Sequence, residues 1–319
     1  MRTLKLSPNS AGAVFALVGF AVFSTHDLII KQLGATYSTF QIVFYTALFS
    51  FPLLTLVMIG DHKPTTLRPV HPYWIAIRSL AGVVSGLSAF YAISTLPLSQ
   101  VYAFIFASPL LITLLAIPVL GETVRLRRGL AVLVGLFGVL IVLRPGAEPL
   151  TGGHIAALIA AFAGALVSVI TRKIGREERG VVMILYPMMT NLIVTAIALP
   201  FVYVEVPLAH LGMFAVDSVL VLIAMTLLVK AYTNADAILV APMQYSQIIW
   251  ATIFGILIFN EYPEWQTYLG TAVIALSGFY ILRREATGNV SSNTPVSKTR
   301  TRIGHTMAMR VGDALRKRR

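Results

Sequence analysis

Ten apolar stretches, each near twenty residues, alternate along the chain with short segments of Gly, Pro and charge. A helix needs about 20 mostly apolar residues to cross the hydrocarbon of a bilayer. The pattern therefore predicts spans over 11–31, 38–59, 72–93, 98–120, 127–144, 152–171, 181–204, 211–230, 237–259 and 265–283. The separators read "GDHKPTTLRP", "GETVRLRRG", "RPGAEPLTGG", "TRKIGREERG" and "NEYPEW". Only "TLPLS" joins the third and fourth spans, which makes them a tight helical hairpin. No polar stretch is long enough to form a soluble domain.

Composition strengthens this reading. Hydrophobic residues are 57% of the 319 and charged residues 12%, where a soluble domain carries about 25% charged residues. Such a chain cannot cover a water-facing surface, so the bilayer is its solvent. There is no cysteine, which excludes disulfides, thiolate catalysis and cysteine metal sites. The net charge of +12 is unevenly placed. With the N-terminus inside, 22 basic residues fall in inner segments and 2, Lys31 and Arg144, in outer ones; Arg78 lies within the third span. Cytoplasmic loops carry the excess of Lys and Arg, so both termini are expected on the cytoplasmic side of a bacterial inner membrane. Lys298, Arg300, Arg302, Arg310 and the run Arg316 to Arg319 form a basic tail, read as solvated chain near anionic lipid rather than a nucleic-acid arm. Arg2 and Lys5 precede an apolar run that lacks a small-x-small cleavage site, so it is a first span and not a signal peptide.

The halves repeat one another. "KQLG" (31–34) ends the first span and "RKIG" (172–175) the sixth; "VLGE" (119–122) ends the fourth and "IFNE" (258–261) the ninth. Five spans per half is an odd number, so the second half is inverted relative to the first. The expected fold is an all-α integral membrane protein of ten transmembrane helices in two inverted five-helix repeats. Residues 1–10 are a cytoplasmic N-terminus, 11–146 the first repeat, 147–284 the second and 285–319 the tail. Inverted repeats mark secondary transporters, with substrate held near the midplane between the halves.

Three stretches carry a family resemblance: "RSLAGVVSGLSAFYAISTLPLSQVYAFIFASPLLITLLAIPVLGE" (78–122), "GLAVLVGLFGVLIVLRPG" (129–146) and "ADAILVAPMQYSQIIWATIFGILIFNEYPEWQTYLG" (235–270). Over residues 11 to 283 the chain resembles the EamA family of the drug/metabolite transporter superfamily. The glycine-acid end of the fourth span and the Gly135/Gly138 pair are its most specific marks. The resemblance implies a ten-span metabolite transporter without a cofactor. Many members carry an arginine in the second span; here "FQIVFYTALFS" offers Tyr45 and Thr46 and no base.

Candidate chemistry centres on "STHDLIIKQLG" (24–34). A first span centred near residue 21 puts Asp27 about 9 Å from the midplane, inside the roughly 15 Å hydrocarbon half-thickness. A charge at that depth costs up to about 2.5–3.5 kcal/mol and usually faces a cavity or ion path. Asp27 is the first candidate for a substrate cation or a coupling proton, against a plain i,i+4 pair with Lys31. His26 lies about 100° round the helix and is of the residue type suited to proton coupling, although a packed histidine is the simpler reading. Lys31 reads as an interfacial anchor that snorkels.

Arg78 begins the third span, as a headgroup anchor or substrate contact. Its mate in the other repeat is Asp217, near the outer end of the eighth span; both are gate or end-cap candidates. Tyr45, Tyr91 and Tyr102 are further binding candidates, the last two flanking the hairpin where belt tyrosines are common. In the ninth span Gln244, Tyr245, Gln247 and Trp250 follow Pro242 and can form a polar wall with a stacking face. Pro109, Pro187 and Pro242 interrupt spans. Gly82 and Gly86 read as a helix-packing motif.

Enzyme signatures such as H-E-x-x-H or a phosphate loop with lysine are absent from the sequence, so transport would run on a gradient. The expected partners are a small-molecule substrate and the bilayer, with no nucleic acid. The leading function is alternating-access transport of a small metabolite. Riboflavin uptake ranks first, because 18 Arg against 7 Lys suggests a GC-rich, free-living bacterium. S-adenosylmethionine uptake ranks second and amino-acid-type efflux third, and a membrane sensor or scaffold is the alternative of another class.

Overall fold

The computed structural model describes residues 8–59, 67–121, 126–144, 149–175, 177–234 and 240–287. Arg2, Lys5, Glu122 and the basic tail beyond residue 287 lie outside them. Among the described residues the first half forms α1 (Pro8–Gly34), α2 (Thr39–Ile59), α3 (Pro72–Thr95), α4 (Leu98–Phe106), α5 (Ser108–Leu120) and α6 (Leu126–Leu143). The second forms α7 (Gly152–Ile174), α8 (Gly180–Val202), α9 (Leu208–Asn234), a 3-10 segment (Ala241–Ser246), α10 (Gln247–Phe259) and α11 (Trp265–Thr287). Six helical stretches are long and apolar enough to cross a bilayer, and three shorter apolar ones lie at Thr39–Pro52, Gly129–Leu143 and Met243–Phe259. The protein is a multi-pass helical membrane protein with a two-repeat layout.

Side-chain exposure fits a lipid solvent. On α6, Leu130, Leu133, Phe137 and Leu140 form an exposed apolar stripe at helical spacing. Water would not hold such a surface; acyl chains do.

Two predicted spans are not continuous helices. The fourth breaks at Ala107, whose N–H reaches back to Phe104 O in a tighter turn, and α5 restarts with Pro109 in its first turn. Proline has no N–H to give and disfavours helical backbone before it. The ninth opens as the 3-10 segment holding Pro242 and becomes α-helical only at Gln247. These breaks are repeat mates. α5 and α10 are 13 residues each, and each ends on a left-handed residue, Gly121 at φ 69° and Asn260 at φ 54°. A residue in that region closes a helix, at a cost that glycine and asparagine bear best.

Packing between the halves is reciprocal: α1 lies mainly on α9, α7 on α3, and α6 on α11. Gly138 makes the last contact possible, because a Cβ there would sit 2.9 Å from Gly270 O and from Ile274 Cγ1. Gly82 and Gly86 behave otherwise. A Cβ at either meets nothing within 4 Å, so that motif is not a close-approach seam in this fold.

Candidate functional site

The first helix delivers four polar side chains to the interior. Ser24, His26, Asp27 and Lys31 are all less than a tenth exposed. α1 is apolar from Ala11 to Phe23 and packs on α9, which turns His26 toward Asp217 and Asp27 toward α4. His26 Nδ1 is hydrogen-bonded to Asp217 Oδ1, and His26 Nε2 lies 3.6 Å from Asp27 Oδ1. Tyr102 Oη, from α4, donates to Asp27 Oδ2, and Ser24 Oγ is 3.4 Å from that phenol. On the far side Thr46 Oγ1, from α2, donates to Asp217 Oδ2 at 3.0 Å. Phe23 and Phe90 box the imidazole, with centroids 6.3 and 5.9 Å away. Four helices thus build one buried chain: Thr46, Asp217, His26, Asp27, Tyr102.

Two carboxylates face one imidazole. If both are ionised the cluster is net negative even with His26 protonated, and buried charge must be compensated. The arrangement can hold a cation or a proton. An aromatic run adjoins it: Tyr102 stacks on Phe106 at 6.0 Å, and Phe106 meets Tyr245 edge-on at 4.9 Å.

The profile of the EamA-like transporter family matches twice, over residues 10–144 and 151–283. The chain belongs to the EamA-like transporter family. A relative named "S-adenosylmethionine uptake transporter" from Rickettsia bellii (strain RML369-C) is 25% identical over 280 residues, covering 88% of this chain and 96% of that protein. Its namesake in Rickettsia conorii (strain ATCC VR-613 / Malish 7) is 27% identical over 86% of this chain and 93% of its own. The "Pseudopaline exporter CntI" of Pseudomonas aeruginosa (strain UCBPP-PA14) is 23% identical over 84% and 94%. A solved crystal structure, 19% identical, shares the fold with a TM-score of 0.57 over 87% of this chain and 99% of its own. The protein is a small-metabolite transporter of the membrane, and the relatives are transporters rather than enzymes.

In this EamA-like transporter Asp27, His26 and Tyr102 come together as site candidates. Asp217 joins them, and so is a member of the cluster rather than an end-cap. Tyr45 stacks on Phe214 at 5.0 Å, next in sequence to the Thr46 that holds Asp217. Gln247 is fully buried, while Gln244, Tyr245 and Trp250 are half-buried, Trp250 with its ring 6.2 Å from Phe254. Tyr91 is 45% exposed and lies beside Gly152, away from the cluster.

Two sequence readings are corrected. Arg78 is no headgroup anchor: it is fully buried, donating from Nε to Thr171 Oγ1 and from Nη1 to Met183 O, each at 2.7 Å. Lys31 is no snorkelling anchor: it pairs with Glu261 Oε1 at 2.7 Å instead of with Asp27 and donates to Leu96 O at 2.6 Å. Glu261 was visible in the sequence only as a repeat mark, and Thr46 only as the neighbour of Tyr45.

Proposed function

We propose that this transporter takes up S-adenosylmethionine, or an amino-acid-derived cation like it, by alternating access. The buried Asp27–His26–Asp217 cluster carries the reading: an acidic cluster inside a membrane suits a sulfonium or ammonium centre. The aromatic run Tyr102–Phe106–Tyr245 adds faces on which a heteroaromatic ring can stack. Relatives named for S-adenosylmethionine uptake support the same substrate. Riboflavin, ranked first on composition, has no cationic centre for this cluster and drops below S-adenosylmethionine. Export of an amino-acid-derived metabolite is the second reading, favoured by the likeness to the pseudopaline exporter.

The chain crosses the membrane ten times with both termini cytoplasmic, and residues 11–146 and 147–284 are its two repeats. Side-chain pairs support this layout. Lys31 with Glu261 and Arg144 with Glu264 join segments assigned to the outer face, and His71 with Glu177 joins segments assigned to the inner one. The test is uptake of radiolabelled S-adenosylmethionine into proteoliposomes, with unlabelled S-adenosylmethionine, riboflavin and amino acids as competitors. Saturable uptake that riboflavin leaves untouched is expected. Riboflavin flux without S-adenosylmethionine flux would overturn the substrate, and no flux of any compound would turn the reading toward a sensor or scaffold.

A further inference from the structure

Lys31 and Asp27 stand four residues apart on α1 and share a face, about one helical turn or 6 Å apart along the axis. Asp27 faces Tyr102 in the cluster. Lys31 lies a turn closer to the end of the molecule that holds the α3–α4 hairpin. Its ammonium is gripped from both repeats: Leu96 O belongs to that hairpin, and Glu261 follows α10. The Phe259 ring lies 5.1 Å from it. The Lys31 side chain is 8% exposed and that of Glu261 24%. α1 ends hard against the hairpin, since a Cβ on Gly34 would collide with Ser94.

The pair is incompletely satisfied. Glu261 is placed by the left-handed Asn260 and by its own N–H to Gly255 O at 2.9 Å. Its Oε2 is buried with no hydrogen-bond partner. An acceptor left unmade in a buried place costs free energy, so this carboxylate holds Lys31 less well than one that could use both oxygens. Through Lys31 it sits about one turn above the acidic cluster.

We propose that Lys31 is a substrate-binding residue: it takes the substrate's carboxylate in place of Glu261, while Asp27, one turn deeper, takes the cationic centre. This deepens the substrate reading above and rests on it. Lys31–Glu261 closes the way to Asp27, and a ligand carrying both charges opens it by offering a replacement for each partner. A ligand that carries only the cation leaves Glu261 in place and binds less well. The one-turn spacing suits a carboxylate and a cation separated by a short aliphatic chain.

The experiment is thermal-shift titration of the purified full chain, and of Lys31→Gln, Glu261→Gln and the double variant, with S-adenosylmethionine and with decarboxylated S-adenosylmethionine. Wild type should prefer the carboxylate-bearing ligand about tenfold. Lys31→Gln should abolish that preference by weakening S-adenosylmethionine alone. Glu261→Gln should do the opposite and tighten S-adenosylmethionine several-fold, with the double variant resembling Lys31→Gln. Opposite signs separate exchange from a structural staple, whose loss would weaken both ligands in both variants; that outcome overturns the proposal. If Lys31→Gln fails to fold, Glu261→Gln decides alone, and tightening supports the proposal while weakening or no change overturns it. Wild type that responds to neither ligand overturns the substrate reading, and this inference with it; wild type that binds both equally overturns the inference alone.

Discussion

Asp27 accepts from Tyr102, lies beside His26, and through it reaches Asp217. Each link invites a separate test. Asp27→Asn keeps the shape and removes the charge; uptake should fall at least a hundredfold with expression and melting temperature held, measured as initial flux in proteoliposomes. Tyr102→Phe removes one hydrogen bond to a charged acceptor, worth about 1.5–3 kcal/mol of stability, so the melting midpoint in detergent should fall while the core stays filled. An unchanged midpoint in Tyr102→Phe would show that the phenol only packs. The depth of Asp27 was readable along the chain, because an acid inside an apolar run is conspicuous. Its link to Asp217 was not, since His26 and Asp217 stand 191 residues apart. The repeat register did pair Asp217 with Arg78, but it could not say that one would bond an imidazole and the other a threonine and a carbonyl. Lys31 misled for the same reason: a lysine at a span's end looks like an anchor until a remote glutamate is brought beside it.

At the scale of elements, small residues divide into those that touch and those that do not. Gly138→Leu would drive a side chain into Gly270 and Ile274 across the α6–α11 seam, and overpacking typically costs about 1–3 kcal/mol. Gly86→Ala enters open space, and removing glycine from a helix interior is favourable by about 0.5–1 kcal/mol. Thermal unfolding in detergent should show a lowered midpoint for the first and an unchanged or raised one for the second; equal losses would revive Gly82 and Gly86 as a packing motif. Helix positions were largely legible because length and apolarity decide them. The breaks at Ala107 and at Ala241–Ser246 fall where Pro109 and Pro242 signalled interruptions, although the apolar run continues through both. Pro187 gave the same signal and lies inside the unbroken α8, since a proline says that a helix is perturbed without saying whether it bends or restarts.

For the whole molecule, the repeats are alike in topology and unlike in packing. Over its most apolar window α7 is 72% buried, while its mate α1 is 44% buried. Alternating access requires such inequality, because exchanging the roles of two identical halves would change nothing. The layout itself can be checked simply, since the chain has no cysteine. The single variants Thr36→Cys, Leu150→Cys and Glu205→Cys should react with a membrane-impermeant maleimide in intact cells, and Val70→Cys only after lysis. Labelling of Val70→Cys in intact cells would invert the orientation.

Arg78 has an electrical consequence. It is a guanidinium held by a hydroxyl and a carbonyl, with its Nη2 lacking a partner and no carboxylate paired to it among the described residues. Arginine stays protonated in proteins, so a formal charge is fixed in the wall between α3, α7 and α8. Carrying one elementary charge through a 100 mV drop is worth about 2.3 kcal/mol. Any rocking of α3 across part of the bilayer therefore moves charge through part of that field. Under the alternating access proposed above, the balance between inward- and outward-facing forms would then depend on the membrane voltage even before substrate arrives, and an energised cell would poise the empty carrier differently from a de-energised vesicle.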